Sequence, residues 1–124
     1  MRLVLDYETR STVDLGQCGL DVYSRHKSTQ VLMCGYAFGS QPVQIWEPHL
    51  EEIPADLSDG LADPFVQKIA WNAPFELSIT EHVLGMPIVL PEWLDVMVLA
   101  RYLSLPGKLS KVCEIMKLPE SLAK

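Results

Sequence analysis

The alternation of apolar and polar positions at the start of the chain predicts a β-strand over residues 2–8. One set of alternate positions is apolar or aromatic: Leu3, Leu5 and Tyr7. The other set includes Asp6 and Glu8. Successive side chains of a strand point to opposite faces, so both carboxylates are expected on one face, roughly 7 Å apart. The pattern therefore predicts a core strand with one apolar and one acidic face.

Three further segments have strand-like patterns. They are residues 30–38 (QVLMCGYAF), 43–47 (VQIWE) and 66–71 (VQKIAW). The first is a continuous apolar and aromatic run, and the second alternates after a Gly- and Pro-containing turn. Together with the opening strand, these two predict an antiparallel meander. The polar stretch 9–28 predicts a loop with one short helical turn near Leu20–Ser24.

Helical periodicity prevails in the second half of the chain. After a short helix near residues 55–61, helices are predicted from Asn72 to Gly85, over 92–103 and over 109–116, the last stopped by Leu118-Pro119. Asn72 has the side chain of a good N-cap. Strands followed by a strand–helix crossover and further helices predict an α/β fold with a mixed sheet, three antiparallel strands plus a parallel one.

Composition predicts one domain spanning residues 1–124, with a true core. The net charge of −6 argues against a protein that coats nucleic acid by bulk charge. Three scattered cysteines without zinc-ligand spacing predict a reduced chain without zinc. Because acids occur early and no apolar run is long, we expect no signal peptide and no membrane span. We expect a soluble cytoplasmic protein.

The Asp6/Glu8 pair is open to two interpretations. Two carboxylates on one face of a core strand repel each other and resist burial, and a hard cation such as Mg²⁺ or Mn²⁺ relieves that conflict. A solvated acidic face on a surface strand explains the pair as well. On this short spacing alone, the solvated face is the stronger interpretation.

Three motifs in order resemble the DEDD superfamily of DnaQ-like 3′→5′ exonucleases, which have a ribonuclease H-like fold. Asp6-Tyr-Glu8 is similar to the first motif, and Asn72-Ala-Pro-Phe-Glu76 to the second, with Glu in place of Asp. The stretch from Asp95 to Arg101 resembles the one that follows in these nucleases. The overall pattern is closest to the proofreading domain of phage family-A DNA polymerases.

The resemblance implies hydrolysis of phosphodiester bonds at single-stranded DNA 3′ ends, using two Mg²⁺ (or Mn²⁺) ions about 4 Å apart. It makes Asp6, Glu8 and Glu76 the catalytic metal ligands. An acid in the first turn of a helix, complementing its dipole, is the other interpretation of Glu76. The expected setting is a phage or prophage protein, engaged in replication inside a bacterial host.

The same resemblance implies substrate contacts from Thr9, Arg10, Asn72 and Asp95. Each has a structural alternative: a solvated loop for Thr9 and Arg10, a helix cap for Asn72, and an acid at a helix start for Asp95. Arg101 is expected to form structural ion pairs. The tryptophans are expected in the core, and the three histidines at the surface.

The family's third motif, a Tyr or His followed by the last Asp ligand, has no counterpart here. No Asp follows Asp95, and the acids downstream are Glu114 and Glu120. The expectation is a C-terminally incomplete domain: a cut fragment, a split gene product or a natural remnant. A remnant acting as a protein- or nucleic-acid-binding module is the alternative to an enzyme. Expected partners are a polymerase, a complementing C-terminal fragment or a second copy.

Overall fold

The structure is a computed structural model, and it describes residues 1–117. The strands in this range are β1 (Arg2–Arg10), β2 (Gln30–Phe38), β3 (Gln44–Trp46), β4 (Gln67–Ala70) and β5 (Trp93–Asp95). The helices are α1 (Leu15–Cys18), α2 (Leu20–Arg25), α3 (Ala55–Ala62), α4 (Ala73–Ser78), α5 (Val96–Tyr102) and α6 (Leu109–Ile115). A π-helical turn, Ile79–Val83, continues α4, and a 3-10 turn, Leu90–Glu92, precedes β5. The predicted stop at Leu118-Pro119 lies outside the described residues.

The strands form one mixed sheet in the order β3-β2-β1-β4-β5. The pairs β1–β2 and β2–β3 are antiparallel, whereas β1–β4 and β4–β5 are parallel. This confirms the predicted α/β fold with an antiparallel meander and a parallel strand after it. None of the helices in residues 1–117 is long and apolar enough to cross a membrane.

Two local predictions were wrong. The helix expected to begin at Glu92 begins at Val96, because Trp93–Asp95 pairs with β4 as a second parallel strand. Three residues are too few to show a strand period, and Trp93 also fitted the helical stripe. In the stretch expected to hold one short helical turn, the structure has two short helices, α1 and α2.

The two faces of β1 differ as the sequence predicts. Leu3, Leu5 and Tyr7 are buried in the main core, and the Tyr7 hydroxyl lies 2.8 Å from Thr80 Oγ1. Asp6 is half-buried and Glu8 is exposed on the opposite face. The apolar face holds β1 against α4 and its π-helical extension, and so fixes where the acidic face lies.

Lys68 of β4 is fully buried, which the sequence did not predict. Its Nζ donates to Glu92 Oε1 at 2.7 Å and to the Asp63 carbonyl oxygen at 2.8 Å. A buried charge is tolerated when it is paired and hydrogen-bonded. The Lys68–Glu92 pair therefore ties the turn before β5 to the middle of the sheet.

Candidate functional site

Asp6 and Glu8 line a groove of about 670 Å³ on the acidic face of the sheet. The other side chains along it are mainly apolar and include Val4, Met33, Val43, Ile45, Trp71 and Leu109. Val4, Val43 and Ile45 are each about half exposed or more. The two carboxylates are therefore the charged groups of an otherwise apolar groove within residues 1–117.

Glu76 approaches the same strand from α4. β4 ends at Ala70, so the edge of β1 beyond its pairing with β4 is open to α4. There the buried Glu76 carboxylate accepts hydrogen bonds from the backbone N–H groups of Tyr7 and of Glu76 itself. The residue that donates to Glu76 thus lies between Asp6 and Glu8.

The surroundings of Glu76 disfavour a negative charge. Burial, opposed in part by the two backbone hydrogen bonds and reinforced by the charges of Asp95 and Glu8, raises its pKa from 4.5 to about 8. Burial of the thiol raises the pKa of Cys34 to about 12, and a negative charge on Glu76 adds to the rise. Glu76 is therefore protonated at neutral pH unless a cation compensates its charge.

One oxygen of Glu76 has no partner. Oε2 is buried and makes no hydrogen bond within the described part of the chain. A buried polar atom without a partner costs free energy and requires an explanation, such as an ion that binds there. Carboxylate oxygens are the ligands that Mg²⁺ and Mn²⁺ prefer, so the donor set fits such an ion.

The three predicted ligands do not form a metal cage within the described residues. Among residues 1–117, no three His, Cys, Asp or Glu side chains are grouped tightly enough to hold an ion as they lie. Glu8 and Asp95 are the acids whose charges raise the pKa of Glu76. Asp6 lies on the same strand face as Glu8 and lines the groove with it.

Asp95 holds the start of α4 as well as its own helix. Its Oδ1 accepts from the backbone N–H of Met97, as the N-cap of α5, and from the backbone N–H of Asn72, at 3.0 and 2.9 Å. Those bonds fit the structural interpretation of Asp95 as the acid at a helix start. They also place a fixed carboxylate beside Glu76.

The predicted side-chain cap at Asn72 was wrong. Asn72 precedes α4 in the left-handed conformation, with φ 61°, and its side chain makes no capping hydrogen bond. Asn tolerates this region better than most residues, so the backbone turn explains the residue type. The substrate role of Asn72 stays a prediction.

Thr9 and Arg10 make local contacts at the end of β1. Thr9 Oγ1 lies 2.7 Å from the Tyr23 hydroxyl, and Arg10 donates from Nε and Nη2 to Gln30 Oε1 at 3.2 Å each. These contacts orient the two side chains that directly follow Glu8 in β1. Their predicted contacts with a substrate stay predictions.

His82 is not the surface residue that was predicted. Its side chain is 16% exposed, its Nδ1 lies 2.9 Å from Ser24 Oγ, and its Nε2 lies 3.0 Å from Glu81 Oε1. The order Ser–His–Glu is that of a hydrolase triad, but Ser24 is buried. The contact instead fastens α2 to the π-helical turn.

A relative in sequence is a protein described as DNA polymerase from Bacillus phage SP02. It is 32% identical over 117 residues, which are 94% of this chain and 18% of the relative. No protein-family model matches the chain. The chain thus corresponds to a small part of a much longer polymerase.

Solved structures share the fold at low sequence identity. Brucella melitensis NrnC bound to pGG has a TM-score of 0.65 and 15% identity, over 92% of this chain and 51% of that one. NrnC with bound Mg²⁺ has a TM-score of 0.65 and 18% identity, over 99% and 57%. The Aedes aegypti Nibbler EXO domain has a TM-score of 0.55 and 13% identity, over 83% and 46%. The chain spans about half of each.

These comparisons concern the sequence as a whole and the fold. The phage polymerase shares sequence with nearly all of the chain, and the solved structures share its fold. The predicted resemblance is confirmed: the chain has the ribonuclease H-like fold of DnaQ-like exonuclease domains and is related in sequence to part of a phage DNA polymerase.

Proposed function

We propose that this chain is a metal-dependent 3′→5′ exonuclease domain that acts on DNA 3′ ends. Asp6, Glu8 and Glu76 would hold Mg²⁺ or Mn²⁺, which supplies Lewis-acid chemistry for phosphodiester hydrolysis. The observation that carries the proposal is the buried Glu76 oxygen without a partner, next to the backbone that separates Asp6 from Glu8.

The comparisons support the proposal without extending to this chain's activity. One structural neighbour is described with bound Mg²⁺ and another state of it with pGG. The sequence relative is a polymerase, which is consistent with a proofreading role. The identity of the ion, the number of ions and the direction of cleavage belong to the proposal.

Each residue has a distinct part in this proposal. Glu76 would exchange its proton for a cation, because it is protonated near neutral pH and its Oε2 is unpartnered. The Tyr7 N–H would keep the other oxygen oriented. Asp95, fixed by two backbone N–H groups, would hold α4 so that Glu76 stays beside β1.

A domain that binds cation and DNA without cleaving is the second candidate. The observation that favours it is that the predicted ligands do not form a ready metal cage among residues 1–117. Both candidates share the cation site, and they differ in turnover.

The test combines cation binding with end-labelled substrates. Calorimetric titration of Mn²⁺ should show binding to the wild type that Asp6→Ala abolishes, whereas the exposed Glu52→Gln serves as a control. A 5′-labelled single-stranded oligonucleotide should shorten stepwise with Mg²⁺ and stay intact with EDTA. Mn²⁺ binding without shortening would select the binding domain. Equal Mn²⁺ binding by wild type and Asp6→Ala would reject both candidates.

A further inference from the structure

Charge is divided unevenly along this acidic chain. Residues 1–95 contain 14 acidic and 5 basic side chains, for a net charge of −9. Residues 96–117 contain four basic side chains and one acidic, for a net charge of +3. The four are Arg101, Lys108, Lys111 and Lys117, and all are exposed. The α5–α6 region is therefore a cationic surface on an otherwise anionic domain.

The loop between these helices places the Arg101 guanidinium against Gly107, the residue that precedes Lys108. A Cβ at Gly107 would lie 2.9 Å from Arg101 Nη2 and 3.1 Å from Nε, so the guanidinium lies directly over this glycine. Lys108 is the next residue. The ion pairs predicted for Arg101 are absent within residues 1–117, where no carboxylate lies within salt-bridge distance of Arg101 or Lys108.

Exposed cations that have no acidic partner among residues 1–117 can pair with an anionic ligand. Lys111 has a weak partner, because its Nζ lies 3.5 Å from Glu114 Oε2 and both side chains are more than half exposed. Such a surface pair contributes little and is readily exchanged for another anion. The segment therefore offers three cationic groups to a ligand with several negative charges.

This surface adjoins the acidic groove. Leu109 of α6 lines the groove with Asp6 and Glu8, and Lys108 directly precedes it. Tyr102, next to Arg101, is 84% exposed. Exposed aromatic rings stack on unpaired bases, and cations track the backbone of single strands.

We propose that Arg101, Tyr102, Lys108 and Lys111, here called the cationic strip, bind a single strand of DNA whose 3′ end lies in the groove. The cations contact backbone phosphates upstream of the end, and Tyr102 stacks on a base. This proposal rests on the proposed function for the position of the 3′ end. The strip accounts for how a domain with net charge −6 holds a polyanion.

Binding is tested without divalent ions, so that it does not depend on the cation site. Fluorescence anisotropy of a labelled single-stranded oligonucleotide is measured in EDTA over a series of salt concentrations, with the 124-residue chain. Each phosphate contact contributes about 0.7 to the slope of log K against log salt concentration for single strands. Arg101→Ala/Lys108→Ala should lower that slope by about 1.4, and Tyr102→Ala should weaken binding about tenfold with the slope unchanged.

The exposed Lys27 supplies a matched control, because Lys27→Ala removes one positive charge elsewhere. Lys27→Ala should have the slope of the wild type. Lys108→Arg, which keeps the positive charge, should have that slope as well. An equal slope in wild type and double variant, or an equal loss in Lys27→Ala, would overturn the proposal, as would a wild type that does not bind. Salt-dependent binding by a chain that neither binds Mn²⁺ nor cleaves would support the strip while rejecting the proposed function.

Discussion

Two buried ionisable side chains lie on neighbouring elements and have opposite surroundings. Lys68 is fully buried on β4, and both of its described hydrogen bonds are short, to Glu92 and to the Asp63 carbonyl oxygen. Glu76 on α4 is 3% exposed and has two acids for electrostatic neighbours, and one of its oxygens has no hydrogen-bond partner among residues 1–117. The buried Lys68 is compensated by its partners, whereas the buried Glu76 carboxylate needs a cation to compensate its charge.

The difference separates a structural charge from a functional one. A paired buried charge stabilises a particular arrangement of elements, and its removal is felt mainly in folding. An uncompensated carboxylate reduces the stability of the folded state at pH values where it ionises, and such sites are typical of functional centres. Substitutions that remove the two charges should therefore change the free energy of unfolding in opposite directions.

The largest expected effect is at Lys68. Lys68→Met should lower the free energy of unfolding by about 3–5 kcal/mol, because it leaves Glu92 and a buried carbonyl without their partner. Urea denaturation measures the loss. Lys68→Met/Glu92→Leu should recover most of it by removing both charges. A single variant as stable as the wild type would contradict the structural role of the pair.

Glu76→Gln should act in the opposite direction. The folded pKa of about 8 lies above the ordinary 4.5, so the native state binds the extra proton between these values. The wild type therefore loses stability as the pH rises from about 4.5 to 8, and the amide removes that loss. In EDTA at pH 8, Glu76→Gln should be more stable by a few kcal/mol, about 1.4 for each pKa unit at most.

Urea denaturation at pH 5, 6.5 and 8 measures this dependence. The exposed Glu52→Gln is the matched control and should keep the pH dependence of the wild type. Parallel curves for Glu76→Gln and the wild type would show that the Glu76 carboxyl is not destabilised by its surroundings.

Substitution of Asp95 should have a smaller effect with two parts, because this residue both caps α5 and influences the pKa of Glu76. Asp95→Ala should cost about 1–2 kcal/mol, because it removes the cap of α5 and the acceptor for Asn72 N–H. Asp95→Asn keeps an acceptor oxygen and should cost less. By removing a negative charge it should also make the stability loss smaller and end it at a lower pH, since Asp95 helps to raise the folded-state pKa of Glu76. An unchanged loss would remove Asp95 from the site.

Much of the sheet could be predicted because its longer strands have recognisable apolar patterns, either continuous or alternating. Residues 30–38 form a continuous apolar run, and β2 has those bounds. Alternation at Leu3, Leu5 and Tyr7 correctly separated the two faces of β1. β5 was missed because its three residues show no period of their own.

The site could be predicted only in part. The family resemblance pointed to Asp6, Glu8 and Glu76, but the burial of Glu76 beside Tyr7 depends on β4 ending early, which is a tertiary effect. Asp95 and Asn72 are 23 residues apart, and their hydrogen bond carried no signal in the sequence. The position of the Arg101 guanidinium over Gly107 depends on the absence of a side chain at that residue.

The central claim is that Glu76 exchanges a proton for a divalent cation. Titrations of Mn²⁺ at pH 7 in two buffers of different ionisation enthalpy measure the protons released on binding. The account predicts that the wild type releases about one proton, because ligands must be deprotonated and the pKa of Glu76 is about 8, and that Glu76→Gln binds more weakly and releases none. Binding without proton release, or the same release from Glu76→Gln, would contradict it.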